Sequence, residues 1–495
     1  MAQYSLAFDF GATSIRAIIG GVENGRFVTR EVMRMSHQRH TCLGRSRWEW
    51  DKIVAKVVET IKAHVSEISS IAVNTWGVDF GLIDEHGALV APPISYRDAR
   101  HQEGFAYATS KLSAEQIFMA TGNQIMAINS LFQLLVLQQD AAKASSPAAA
   151  KASSPESGAA SEVDLSFSKA HKLLMLPDLL NYLLTGKVTA EITIASTSQL
   201  LDLKSHDFAP QILGTYGIKR DLFAPLIYPT TVIGSLKDSV IPELKALNAD
   251  IQVVACASHD TASAVLLTEA YTDKSTAFLS CGTWSLLGGL SDEPVITKEA
   301  FARDLTNETG FAGTNMFFQN ITGLYVLEML KSQLEARLGR KISFAEITEH
   351  VTKCTVSETI NMDAPVLAQN EFDVQEAIKG LVSDPLLLQH DFDYFKVIYN
   401  SLAHKYQTTL NDVAQLLGKP FKRLHMIGGG TQSTYLCQLV SDVTGLEVIA
   451  GPMEATAYGN LLAQQLALKV FSSLEEGRKC ILESSSSTIY HPQSH

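Results

Sequence analysis

An apolar run that stops at a short polar or glycine-bearing loop and then resumes as new secondary structure opens this chain. The same succession returns in its C-terminal half. At the start, Leu6, Ala7, Phe8 and Phe10 read as a buried strand, Gly11 breaks it, and Ile15 to Gly20 reads as the next strand. Asn24-Gly25 marks a hairpin turn, and Phe27 to Met35 returns as a third strand. This is an antiparallel meander, not the strand-to-helix opening of a dinucleotide fold. Later, Ile251 to Ala255 leads into Ser258-His259-Asp260-Thr261, and Thr276 to Ser280 runs into Cys281-Gly282-Thr283-Trp284-Ser285. Leu424 to Ile427 runs into Gly428-Gly429-Gly430, and Leu436, Leu439, Val440 and Val443 follow at helical spacing. The repetition predicts two mixed α/β lobes whose loops meet across a cleft.

A length of 495 residues agrees, because one hydrophobic core rarely serves so long a chain. Between the repeats, Trp50, Ile53, Val54, Val57, Val58 and Ile61 predict an amphipathic helix, and Ser70 to Thr75 a buried strand. Asp84-Glu85-His86-Gly87 reads as a hairpin turn between Phe80–Ile83 and Ala88–Val90. From Ala141 to about Asp164 the composition shifts to Ala, Ser, Pro, Lys and Glu, with AAKASSP repeated, which predicts a mobile surface insertion. The resulting division is an N-terminal lobe over 1–257, a C-terminal lobe over 258–482 and a tail over 483–495.

A formal net charge of -12 argues against nucleic acid and anionic membranes as partners. Six cysteines without a CxxC pair predict free, mostly structural thiols in a reducing compartment. The N-terminus lacks the features of a signal peptide, and no apolar run is long enough to span a bilayer, so the cytoplasm is the expected location. The histidines form no HExxH or compact metal cluster, which gives a zinc hydrolase little support.

Several groups suit phosphate and sugar chemistry. Asp9 ends a strand before Gly11-Ala12-Thr13-Ser14, where a carboxylate, two hydroxyls and exposed amides can organise Mg²⁺ and phosphate oxygens, with Arg16 adding charge. An ordinary hairpin is the plainer reading, and the letters DFG lack the other protein-kinase segments. Asp260 can accept a hydroxyl proton during phosphoryl transfer, or can cap a helix. Gly282-Thr283 and Gly428-Gly429-Gly430 are candidate ATP loops. Trp76, Gly77, Asp79, Tyr96, Arg97 and Asp98 suggest a polyol site, or else core aromatics beside a surface ion pair.

Taken together, these motifs resemble those of the FGGY carbohydrate kinases. The resemblance is carried by Asp9-Phe10-Gly11-Ala12-Thr13-Ser14, Asn74-Thr75-Trp76-Gly77-Val78-Asp79-Phe80, Tyr96-Arg97-Asp98-Ala99-Arg100 and Ser258-His259-Asp260-Thr261-Ala262-Ser263-Ala264. It continues through Ser280-Cys281-Gly282-Thr283-Trp284-Ser285-Leu286, Thr306-Asn307-Glu308, Asn320-Ile321-Thr322-Gly323-Leu324 and Gly428-Gly429-Gly430, and covers roughly residues 5 to 470. It implies two actin-like, ribonuclease H-like lobes and transfer of the γ-phosphoryl group of ATP to O1 of L-rhamnulose. Asp260 becomes the expected proton acceptor. Gly77, His259, Thr261 and Asn320 join it at the substrate. Ala12, Thr13, Ser14, Ile15, Arg16, Thr283, Glu328 and the Gly428 to Gly430 loop fall at ATP, and Asp9 and Asp260 at Mg²⁺ carried with ATP.

Three departures stand out. Glu328 falls where relatives can carry Gln, Asn74 where they can carry Asp, and the Ala141 to Asp164 segment is foreign to the usual core. Loss of an aspartate at position 74 would remove charge beside the sugar cleft. Sugar is expected mainly on the first lobe and ATP on the second, with closure aligning them. The competing readings are kinase action on another ketose, such as fuculose or xylulose, and a catalytically silent sugar-binding regulator.

Overall fold

The computed structural model describes residues 4–11, 14–145, 164–369 and 372–493. Two sheets repeat one plan. The first is six-stranded, in the order Val232–Ser235, Gln252–Val254, Ile68–Thr75, Tyr4–Phe10, Ser14–Glu23, Arg26–Ser36. Its first three strands in sequence form the predicted meander, and Tyr4–Phe10 pairs in parallel with Ile68–Thr75, which pairs in parallel with Gln252–Val254. The second is seven-stranded, in the order Thr306–Thr309, Asn315–Thr322, Trp284–Ser291, Thr276–Cys281, Arg423–Ile427, Glu447–Ala450, Thr488–Tyr490. Thr276–Cys281 again starts an antiparallel meander and pairs in parallel with Arg423–Ile427. Gly11 and Gly282 therefore occupy the same topological place, the first hairpin of each lobe. Asn74-Thr75 and Ile427 end corresponding parallel strands. This is the two-lobed ribonuclease H-like architecture.

The meander strands carry their apolar residues into two cores. Leu6, Phe8, Phe10 and Ile15 join Trp50, Ile53, Val57 and Ile61 of the helix Trp50–His64 in the first. Leu279, Leu287 and Phe317 join Phe395, Leu402 and Tyr406 of the long helix Asp393–Leu417 in the second. A third cluster lies between the sheets, where the helix Ala455–Ala467 packs on the helix Asp260–Val265. The approach is close enough that a Cβ on Gly459 would stand 1.9 Å from the Ser263 carbonyl oxygen. Along the same seam Gln464 and Gln465, both fully buried, bond Leu6 and Ser5 of the first strand.

Two expected boundaries are revised. The Ala-rich segment is not an insertion over its whole length. The helix Ser130–Ala144 carries Ala141 into the core, and Asp164 is fully buried in an ion pair with Arg47. Residues 146–163, between them, lie outside the described residues. Nor is 483–495 merely a tail, because Thr488–Tyr490 pairs with Glu447–Ala450 at the edge of the second sheet. All six cysteines are free. No helix among the described residues is long and apolar enough to cross a membrane.

Candidate active site

The hairpin loops and the carboxyl ends of the parallel strands open on one cavity of ≈ 460 Å³ between the lobes. That is where ligands bind in sheets of this kind. Of the residues singled out in the sequence, Asp9, Arg16, Gly77, His259, Asp260, Thr261, Thr283, Asn320, Gly428 and Gly429 line it.

Asp9 is 3% exposed and held from two sides. Asn74 Nδ2 donates to its Oδ1 at 2.8 Å, and Arg16 Nη2 donates to its Oδ2 at 2.5 Å. Arg16 also pairs with Glu454, just before the helix Ala455–Ala467, so one guanidinium joins the first meander to the far end of the chain. His37 donates Nε2–H to the Gly11 carbonyl at 2.9 Å, with its ring against Trp48 and Trp76. Asn74 is fully buried, and its Oδ1 accepts from Asn460 Nδ2 at 2.7 Å. The asparagine is therefore an oriented donor to Asp9, and not simply a charge lost from the sugar side.

Asp260 opens the helix Asp260–Val265 as its first helical residue, while His259 takes the capping position without a side-chain cap bond. Its Oδ1 accepts the Thr261 N–H at 2.6 Å. Burial pushes its pKa up to about 6; His259 pulls it down and Asp9 pushes it further up. His259 sits between two carboxylates, with Nε2 3.3 Å from Asp260 Oδ1 and Nδ1 3.0 Å from Glu308 Oε2. Burial alone would lower the imidazole pKa, but Glu308, and after it Asp260 and Glu191, raise it above its ordinary value. The loop itself rests on buried Glu191, whose Oε2 accepts Ser258 N–H at 3.1 Å, and on Thr193 Oγ1, which accepts His259 N–H at 3.2 Å. Burial pushes the Glu191 pKa up to about 7 against its four donors.

The glycines of the second lobe divide by what surrounds them. A Cβ on Gly429 would meet nothing within 4 Å, and one on Gly282 nothing closer than 3.8 Å, which leaves their backbone open to a ligand. Gly430 is different: its Cβ would stand 2.2 Å from Cys281 Sγ, so it packs the loop onto the strand Thr276–Cys281 and does not line the cavity. Gly77 lines the cavity and also serves the chain, because a Cβ there would crowd Thr197 at 3.0 Å.

Other expected members fall outside the cavity wall. Ile15 is fully buried in the first core. Ser14 begins the second strand, its carbonyl accepting the Gly11 N–H at 3.0 Å. Glu328 is exposed on the first turn of the helix Tyr325–Leu338. Ala12 and Thr13 lie outside the described residues. In the expected polyol cluster, Trp76 and Tyr96 form wall, but Asp79 is behind it, accepting both Trp48 Nε1 at 2.7 Å and Trp76 Nε1 at 2.9 Å. Asp98 pairs with buried Arg45, and the Arg97 guanidinium lies over the rings of Tyr96 and Tyr325 at 5.2 and 5.1 Å. Sequence reading missed Gln124, whose Oε1 accepts both the backbone N–H and Nδ2 of Asn320 at 3.1 Å. It also gave no role to Glu191 or His37. Nothing local marks Gln124 or His37, whose partners lie far away in the chain, and Glu191 is marked locally only as the cap of the helix Ile192–Ala195.

A two-lobed ribonuclease H-like fold with an aspartate, a histidine against a glutamate and open glycine loops in its cleft defines a phosphotransferase of the actin-like superfamily. Comparison with known families agrees: residues 4–266 match the N-terminal domain and residues 277–468 the C-terminal domain of the FGGY family of carbohydrate kinases. The chain belongs to that family. It is 34% identical to a rhamnulokinase of Bacteroides thetaiotaomicron, over 100% of this chain and 96% of the relative, and 30% identical to a rhamnulokinase of Bacillus subtilis, over 98% and 95%. Among solved structures it is similar to a xylulose kinase from Lactobacillus acidophilus (TM-score 0.78, 16% identity, covering 99% of this chain and 94% of that one). It is also similar to Plasmodium falciparum glycerol kinase with ADP (TM-score 0.76, 15% identity, covering 99% and 94%).

Proposed function

We propose that this chain transfers the γ-phosphoryl group of ATP to O1 of L-rhamnulose, the reaction of a rhamnulokinase. The observation that carries the reading is Asp260, raised toward neutrality and facing the same cavity as the open Gly282 and Gly429 loops. Asp260 takes the proton from the O1 hydroxyl as that oxygen forms its bond to the γ-phosphorus, the bond to the bridging oxygen breaks, and ADP leaves. His259, whose pKa Glu308 and Asp260 raise, contacts Asp260 on its Oδ1 side and lowers the carboxylate's pKa when protonated. Trp76 and Tyr96 supply apolar wall for the sugar, and the Gln124-held amide of Asn320 a polar edge.

The residues present fit a nucleotide and its metal. Gly282, Thr283, Gly428 and Gly429 offer backbone and hydroxyl donors to phosphate oxygens, with room left by the missing Cβ atoms of Gly282 and Gly429. Asp9 and Asp260 would hold Mg²⁺ with the nucleotide, and Mg²⁺ when bound spreads the charge that develops on the transferred group. Arg16 and Asn74 hold Asp9 in place for that task.

The test is ATP-dependent phosphorylation across a ketose panel that includes L-rhamnulose, fuculose and xylulose, with the product identified. Preferential L-rhamnulose 1-phosphate supports the reading. A clear preference for another ketose keeps the kinase and overturns the substrate, and sugar binding without ADP formation by folded protein overturns both.

A further inference from the structure

The C-terminal lobe has a second concavity, which shares no lining residue with the cleft. It lies between the end of the helix Phe344–Lys353 and the start of the helix Asp393–Leu417. Three donors of different chemistry converge there. Asp393 Oδ1 lies 2.9 Å from His350 Nε2 and 3.3 Å from Cys354 Sγ, and the three ligand atoms are all within 4.8 Å of one another. Among the described residues this is the only such convergence of His, Cys, Asp or Glu. His390 lines the same concavity, its ring 6.0 Å from that of His350.

The local structure aims these groups. His350 and Cys354 stand four residues apart across the last turn and cap of one helix, and His390 and Asp393 three apart across the opening of the next. Asp393 Oδ2 accepts the N–H groups of Gln389 at 2.9 Å and His390 at 2.8 Å. That pins the carboxylate and turns Oδ1 to His350 and Cys354. A tetrahedral ion about 2.0–2.3 Å from nitrogen, oxygen and sulfur keeps its donors about 3.2–3.6 Å apart. The two separations that include Asp393 Oδ1 are a few tenths of an ångström tighter, as expected where protons now bridge those donors, and His350 Nε2 and Cys354 Sγ lie within 4.8 Å of each other.

We propose that His350, Cys354 and Asp393 bind a thiophilic divalent cation, Zn²⁺ in the first instance, with the fourth position open to water or His390. A thiolate and a carboxylate balance the ion's charge, and sulfur and imidazole select against Mg²⁺, which wants an octahedron of oxygens. Binding forms bonds to Cys354 Sγ, His350 Nε2 and an Asp393 oxygen. The thiol proton leaves to solvent, and the imidazole proton that now bridges Nε2 to Asp393 is replaced by one on Nδ1, so the ring stays neutral. The ion would staple the helix Phe344–Lys353 to the helix Asp393–Leu417, whose Tyr406 hydroxyl bonds Ser285 Oγ at 2.6 Å, next to the Gly282–Thr283 loop. Its role is structural, separate from the Mg²⁺ that accompanies ATP.

The experiment titrates chelator-treated full-length protein, without nucleotide, with Co²⁺ and then Zn²⁺, alongside Cys354→Ser and His350→Ala. Both variants sit at partly exposed positions and are checked for folding by circular dichroism. The expected result is a thiolate-to-cobalt absorption band complete at one equivalent and bleached by Zn²⁺. One proton is released per ion, binding is at least 100-fold weaker in each variant, and Zn²⁺ raises Tm in the wild type only. Absence of a saturable thiolate band, or a band that persists unchanged in Cys354→Ser through another cysteine, would overturn the proposal.

Discussion

Asp260 and Glu308 carry the sharpest expectations at the scale of single residues. A carboxylate accepts a proton only when ionised, and burial raises Asp260 to about 6. kcat/KM should therefore be level above that pH and fall tenfold per unit below it. A pH–rate profile that stays level down to pH 5 would remove Asp260 as the base. Asp260→Asn should lower kcat by about 10²–10⁴, the usual worth of a general base, with the fold intact. Glu308 acts through His259. Without it the imidazole pKa drops, the positive form that lowers the Asp260 pKa is less favoured, and the acid limb moves upward. Glu308→Gln should also cost about tenfold to a hundredfold in kcat/KM, the range of a lost charge-assisted contact. An unmoved acid limb with a comparable loss of activity would reduce Glu308 to a packing role.

Among elements, the decisive contact is between the helices Ala455–Ala467 and Asp260–Val265. Gly459→Ala sets two effects against each other. Alanine favours a helix over glycine by about 1 kcal/mol, but its Cβ would stand 1.9 Å from the Ser263 carbonyl oxygen, and overpacking of that kind costs about 1–3 kcal/mol. The clash should win. Urea unfolding should show a net loss of stability, and kcat should fall as well, because the helix that gives way begins with Asp260. Stability gained with kcat unchanged would mean the two helices can separate freely. The elements themselves were largely legible in the chain. The meander, the helix from Trp50 and the strands before Asp260, Cys281 and Gly428 follow from apolar runs bounded by glycine or polar residues. The ends of the Ala-rich segment and the last strand were not. Ala141 and Asp164 look like surface residues by composition, and only a buried helix face and the Arg47 partner reverse that. Thr488–Tyr490 gains its strand character from an edge supplied by Glu447–Ala450.

Over the whole molecule, contacts already cross the cleft. Arg16 reaches Glu454, Gln124 holds Asn320, and Arg97 lies between Tyr96 of one lobe and Tyr325 of the other. Substrates held on both sides would add to these contacts and draw the lobes together, excluding water from the transfer. Solution scattering with ketose and a nonhydrolysable ATP analogue should show a smaller radius of gyration than the free protein; no change beyond error would count against closure.

Sequence alone determined the class of fold and most of the cavity lining, because strand ends, glycine turns and their flanking polar residues are local features that report local geometry. Asp9, Asp260, Thr283 and Gly429 were identifiable in that way, and all line the cleft. What only the tertiary structure decided was which polar groups are partners. Asp79 and Asp98 turned out to be spent on indoles and an arginine, Gly430 on a cysteine, and Asn74 on Asp9. Glu191, Glu308 and Gln124 were brought to loops distant in sequence. The physical reason is that a buried polar side chain must find a hydrogen-bond or charge partner wherever the fold puts one, and that choice depends on distances between segments that no local pattern records.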